Sequence, residues 1–104
     1  MGWHAKGKAV AVTGAGGVIG KALGVALARA GARSILALDL NLASAEAAAA
    51  EIVAAGPSCA VRSQQLDASD GVALRSALRQ ADATDPLDLF CANAGVLAPG
   101  DCAE

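Results

Sequence analysis

A chain of 104 residues holds one domain with a modest core and is too short for two. Hydrophobic residues make up 55% and aromatics only 2%, so small, closely packed side chains rather than rings must fill the interior. A net charge of −2, with eight scattered Lys and Arg, excludes the clustered basic face of a nucleic-acid binder.

The opening residues, MGWHAKGK, lack the apolar region of a signal peptide. No apolar run reaches the roughly 18 residues that a membrane span needs. His4, the single histidine, stands alone and reads as a surface residue. Residues 8–12 are short, apolar and partly β-branched, and they stop at a glycine turn, so they predict a buried strand. From Val18 the apolar positions run Val18, Ile19, Ala22, Leu23, Ala26, Leu27 and Ala30, the stripe of a helix that Gly31 ends as its cap.

Residues 34–40, SILALDL, form the next strand, and residues 43–55, nearly all alanine, the next helix, stopped by Gly56-Pro57. A third strand is expected over 59–66. Ser69 or Asp70 can cap a third helix whose inner face is Val72, Ala73, Leu74, Ala77, Leu78 and Ala81. Asp85-Pro86 breaks that helix, and residues 87–92, LDLFCA, predict a fourth strand. Strands alternating with helices of this length imply an α/β unit with a parallel sheet and right-handed crossovers. The three cysteines, Cys59, Cys91 and Cys102, have neither disulfide-framework nor zinc spacing, and no metal site is expected. Free thiols in the expected strands point to a reducing, cytoplasmic setting.

The run TGAGGVIG at 13–20 joins the first strand to the first helix. A dinucleotide pyrophosphate binds at such a turn, where backbone N–H groups and the positive end of the helix dipole face the phosphates. Gly14, Gly16, Gly17 and Gly20 are the candidates. Asp39 follows Gly20 by about 20 residues at the end of the second strand, the offset of an acid that accepts hydrogen bonds from the adenosine ribose. A 2′-phosphate there would meet like charge, so NAD is expected over NADP.

Three segments, TGAGGVIG at 13–20, LDASD at 66–70 and ANAGV at 92–96, resemble the short-chain dehydrogenases/reductases. The resemblance implies a Rossmann-type three-layer parallel sheet, incomplete here, with about four strands in the order 3-2-1-4 and three helices. The whole of 1–104 is then one NAD(P)-binding domain, truncated after its fourth strand. It further implies that Asp67 and Ala68 flank the adenine, that Asn93, Ala94 and Gly95 line the cofactor cleft beside Thr13, and that Ile19 belongs with the glycines as a cofactor-binding residue.

The short form of the family spaces its glycines T-G-x-x-x-G-x-G, which would place one at 18, where this chain has valine. Gly14, Gly17 and Gly20 fit the extended spacing T-G-x-x-G-x-x-G instead, while LDASD and ANAG look like the short form. Gly17 is then expected to face the phosphate, with Val18 held at negative φ.

Family chemistry, hydride transfer between an alcohol or ketone and the nicotinamide, implies a Ser and a Tyr-x-x-x-Lys beyond the N-A-G strand. The chain holds no tyrosine, so no catalytic residue is assigned and the chain alone is expected to be inactive. The fourth strand would leave an open edge inviting self-association, and one sheet face, covered by a single helix, would stay partly exposed. Two other readings stay open: a non-catalytic nucleotide-binding module, and the amino-terminal part of an extended-type nucleotide-sugar epimerase or dehydratase.

Overall fold

The computed structural model describes residues 5–92. Within them the strands are β1 (Ala9–Thr13), β2 (Ser34–Asp39), β3 (Ala60–Gln65) and β4 (Leu89–Cys91), and the helices are α1 (Val18–Arg29), α2 (Leu42–Ala55) and α3 (Gly71–Thr84). The strands form one parallel sheet in the order β3-β2-β1-β4. That is the α/β architecture and strand order expected. No helix of the described residues is long and apolar enough to cross a membrane.

β1 reads AVAVT because it lies in the middle of the sheet, buried on both faces. Val10 and Val12, with Ile35 and Ala37 of β2, point into a core beneath α1 and α2 that also holds Leu27, Ala28 and Ile52. Ala11, Leu36 and Leu38 point the other way, onto Ala77 and Ala81 of α3. That second face is covered by one helix, yet no strand residue leaves a large apolar side chain exposed among the described residues. At the outer strand β3 sets Arg62 and Gln64 beside Leu36 and Leu38 and meets solvent with polar groups, while toward β4 Leu87 and Phe90 on this face are only partly buried.

The helix α1 buries only part of the expected stripe: Leu27 is in the core and Leu23 packs against it. Gly20, Gly24, Leu27 and Ala28 face inward, while Val18 is 84% exposed and Ile19 72%. Small residues win because the helices approach closely: a Cβ at Gly24 would come within 2.5 Å of Ile52, and one at Gly56 within 2.6 Å of the Ala28 carbonyl. Gly31 sits just past the helix at φ 94°, and the N–H groups of Gly31 and Ala32 donate to Ala28 and Leu27, closing the C-terminus. In α3, Val72 is likewise exposed rather than internal, and Asp70, not Ser69, is the cap, accepting from the N–H groups of Val72 and Ala73. Cys59 lies buried just ahead of β3 and Cys91 within β4, and burial pushes both thiols up. Cys102 lies outside the described residues.

At the amino ends of the strands a clamp of charged side chains joins distant segments. Arg33 donates to both carboxylate oxygens of Asp85 and to the Gly7 carbonyl, and Ser34 donates its hydroxyl to Asp85 at 2.9 Å. Asp88 accepts the Ala9 N–H at 2.8 Å. The Arg33 guanidinium and the Ser34 hydroxyl hold the Asp85 carboxyl below its ordinary range.

Candidate functional site

The carboxyl ends of the strands share one edge, and the chain changes direction between β1 and β4, one on either side of the point where open α/β sheets bind ligands. The turn from β1 to α1 lies there. Gly14 takes φ 64°, a left-handed conformation that suits glycine, and turns the chain sharply off the strand. Gly17 donates to the Gly14 carbonyl at 3.1 Å and its own carbonyl accepts the Lys21 N–H at 2.9 Å, which makes it the N-cap residue of α1. It offers no side chain to cap the helix. The N–H groups of the first turn, beginning at Val18, therefore have no carbonyl one turn earlier and carry the positive end of the helix dipole.

Asp39 closes β2 and is only partly buried. Its Oδ2 accepts the Gly16 N–H at 2.9 Å and its Oδ1 the Asn41 N–H at 2.9 Å. Asn41 in turn caps α2, its side chain accepting the Ser44 N–H at 3.0 Å. Gly16 is pressed against this corner: a Cβ there would meet the Ser44 Cβ at 2.5 Å and the Asp39 Oδ2 at 3.0 Å. By contrast, a Cβ at Gly17 would meet only the Gly14 carbonyl oxygen, at 3.4 Å.

Asp67 lies in the loop after β3. Its Oδ1 accepts both the N–H and the hydroxyl of Ser69, at 2.9 and 2.6 Å, and these bonds hold its carboxyl below the usual range. Ala68 beside it is half-buried. The Leu66 N–H donates to the Asp39 carbonyl at 2.9 Å, tying this loop to the end of β2. Of the residues predicted from sequence, Gly14, Gly16, Gly17, Ile19, Gly20 and Asp39 thus gather on or around one turn, with Asp67 and Ala68 on the neighbouring loop. Asn93, Ala94 and Gly95 lie outside the described residues. Sequence reasoning passes over Asn41 and Ser44. Asn41 carries a usable signal, an Asn ahead of an alanine-rich helix; nothing local marks Ser44.

The geometry suits a dinucleotide. An open helix N-terminus can take a phosphate anion, a glycine where a Cβ would meet just one carbonyl oxygen admits close approach, and an acid at the end of β2 can accept from a hydroxyl. Each oxygen of Asp39 accepts one backbone N–H and retains acceptor capacity.

The family model for short chain dehydrogenases matches residues 8–104. No curated protein matches the chain. Among solved structures, NAD+-bound xylitol dehydrogenase is 33% identical at a TM-score of 0.78, over 88% of this chain and 35% of that one. Carveol dehydrogenase from Mycobacterium avium, in complex with NAD, is 29% identical at 0.76, over 89% of this chain and 37% of that one. A Burkholderia cenocepacia chain described as a dehydrogenase, with bound NADP, shares the fold at 0.75 with 22% identity, over 86% of this chain and 34% of that one. The chain spans little more than a third of the length of these proteins. With nearly its whole length matched, this chain belongs to the short chain dehydrogenase family.

Proposed function

We propose that residues 1–104 form the cofactor-binding half of an NAD-dependent oxidoreductase that interconverts an alcohol and a ketone. The observation that carries this reading is the Asp39 carboxylate, 2.9 Å from the Gly16 N–H, set beside the open first turn of α1. In this reading the turn and the first N–H groups of α1 hold the pyrophosphate, Asp39 accepts from the adenosine ribose, and Asp67 and Ala68 border the adenine. Asn93, Ala94 and Gly95 line the cleft toward the nicotinamide. Bound NAD supplies the hydride acceptor. The family's proton-transferring tyrosine is not among these residues, since the chain has none.

Gly17 supports a ligand-facing turn. Its φ of −79° is open to any residue, and the protein leaves room for a side chain. The fold therefore does not require glycine at 17, whereas close approach of a pyrophosphate would. For NAD over NADP the support is chemical: a 2′-phosphate beside Asp39 would meet like charge, and the next residues, Leu40 and Asn41, bring no cation to neutralise it. Free, buried thiols at Cys59 fit a reducing cytoplasm. Among the described residues β4 pairs on one side only, with β1, and its other edge is where a further strand or a second copy would add.

Calorimetry with NAD and NADP tests the assignment. The chain should bind NAD, and Asp39→Ala should weaken NAD by roughly tenfold or more while weakening NADP less, as expected for a hydrogen bond to a charged group. The purified 104 residues should show no alcohol-dependent reduction of NAD. A folded, soluble sample that binds no NAD would refute the reading.

A further inference from the structure

We propose that Asp39 is a positioning residue for the phosphate turn as well as a ribose ligand, so that one carboxylate sets the geometry at both the adenosine and the pyrophosphate parts of the site. The inference rests on the dinucleotide reading above and adds a second task to the same residue.

The Gly16 N–H, in the middle of the turn, points inward to the Asp39 Oδ2 at 2.9 Å and is not presented to a ligand. Gly16 is glycine for the protein's own sake. A Cβ there would meet the Ser44 Cβ at 2.5 Å, and the Asp39 Oδ2 and Ser44 carbonyl carbon at 3.0 Å each, so only a bare backbone can reach the carboxylate. At Gly17, the next residue, a Cβ would meet only the Gly14 carbonyl oxygen, at 3.4 Å.

The post to which the turn is tied is itself fixed. The second oxygen of Asp39 accepts the Asn41 N–H at 2.9 Å, its carbonyl accepts the Leu66 N–H at 2.9 Å, and Asn41 caps α2. From Gly16 the path runs through one residue to Val18, where the open N–H groups of α1 begin. Releasing Gly16 would let that segment rotate and spoil the aim of those donors. Supporting bonds of this kind hold a binding turn to the tolerance it needs.

A cycle of variant against ligand separates the two tasks. The probes are NAD and an NAD analogue whose adenosine ribose lacks both hydroxyls, measured by calorimetry against the wild type, Asp39→Ala and Asp39→Asn. If Asp39 held the ribose alone, Asp39→Ala and wild type would bind the dideoxy analogue equally. We expect Asp39→Ala to bind the analogue still about tenfold more weakly, and Asp39→Asn, which keeps an acceptor oxygen, to recover part of that loss. In the ligand-free proteins, exchange of the Gly16 amide should quicken in Asp39→Ala and much less in Asp39→Asn. Equal affinity of wild type and Asp39→Ala for the analogue, or an unchanged Gly16 exchange rate, overturns the proposal while leaving the NAD reading standing. Failure of the wild type to bind NAD overturns both.

Discussion

Val18 is the residue at which this chain departs from the short-form glycine spacing of its family. It opens α1 largely exposed, and no residue other than glycine has positive φ among those described, so the valine sits there without backbone strain. The glycine that leaves space at the turn is Gly17. Gly17→Val should therefore reduce NAD affinity tenfold or more, whereas Val18→Gly should change it by no more than a few-fold. Equal losses in a side-by-side titration would show that the two positions are equivalent. The candidate residues themselves were legible in the sequence, because glycine spacing and an acid about 20 residues later have a physical meaning. Their pairing was not. Gly16 and Asp39 are 23 residues apart, and which N–H the carboxylate accepts depends on how closely α2 approaches the turn.

Among the elements, strand order and helix number followed from the alternation of apolar runs and alanine-rich segments. The buried face of α1 did so only in part. Hydropathy weights Val18 and Ile19, but interhelical distance selects Gly20, Gly24 and Ala28. A stripe of small residues is invisible to a pattern that looks for large apolar ones. Val72 also departs from the expected inner face: it lies in the first turn of α3 and is 72% exposed. The close packing gives a ranking that can be measured. At Gly24 a methyl would press on the far end of the Ile52 side chain, and alanine returns about 1 kcal/mol of helix propensity against an overpacking cost of about 1–3 kcal/mol. At Gly56 the obstacle is the Ala28 carbonyl, which is backbone and cannot turn aside, and the residue lies past the end of α2. Urea unfolding should find Gly56→Ala the more destabilising of the two, and the opposite order would contradict the packing described.

At the scale of the whole molecule the charged clamp contributes to acid stability, as does Asp67, whose carboxyl is also held below its usual range. Asp85 is held below its ordinary value of 3.8 by the Arg33 guanidinium and the Ser34 hydroxyl. A carboxyl lowered in the folded state contributes stability that is complete above its unfolded pKa and is lost as pH falls through the folded one. The chain should therefore weaken from about pH 4 downward. In Asp85→Asn part of that acid dependence should vanish, with lower stability near neutrality, which thermal melts across pH will show. A variant as acid-sensitive as the wild type would remove Asp85 from the account.

The two ends of the sheet are built from different materials. The amino ends are bolted by side chains drawn from Arg33, Ser34, Asp85 and Asp88, none of which lies near the glycine turn. At the carboxyl ends the side chains of Asp39, Asn41, Asp67 and Asp70 mostly accept from main-chain N–H groups of the loops and helix starts. A change at Gly17 thus touches none of the four side chains that hold the amino ends. Holding the frame and holding a ligand thus fall to opposite ends of the sheet, which gives a physical basis for one fold serving many activities.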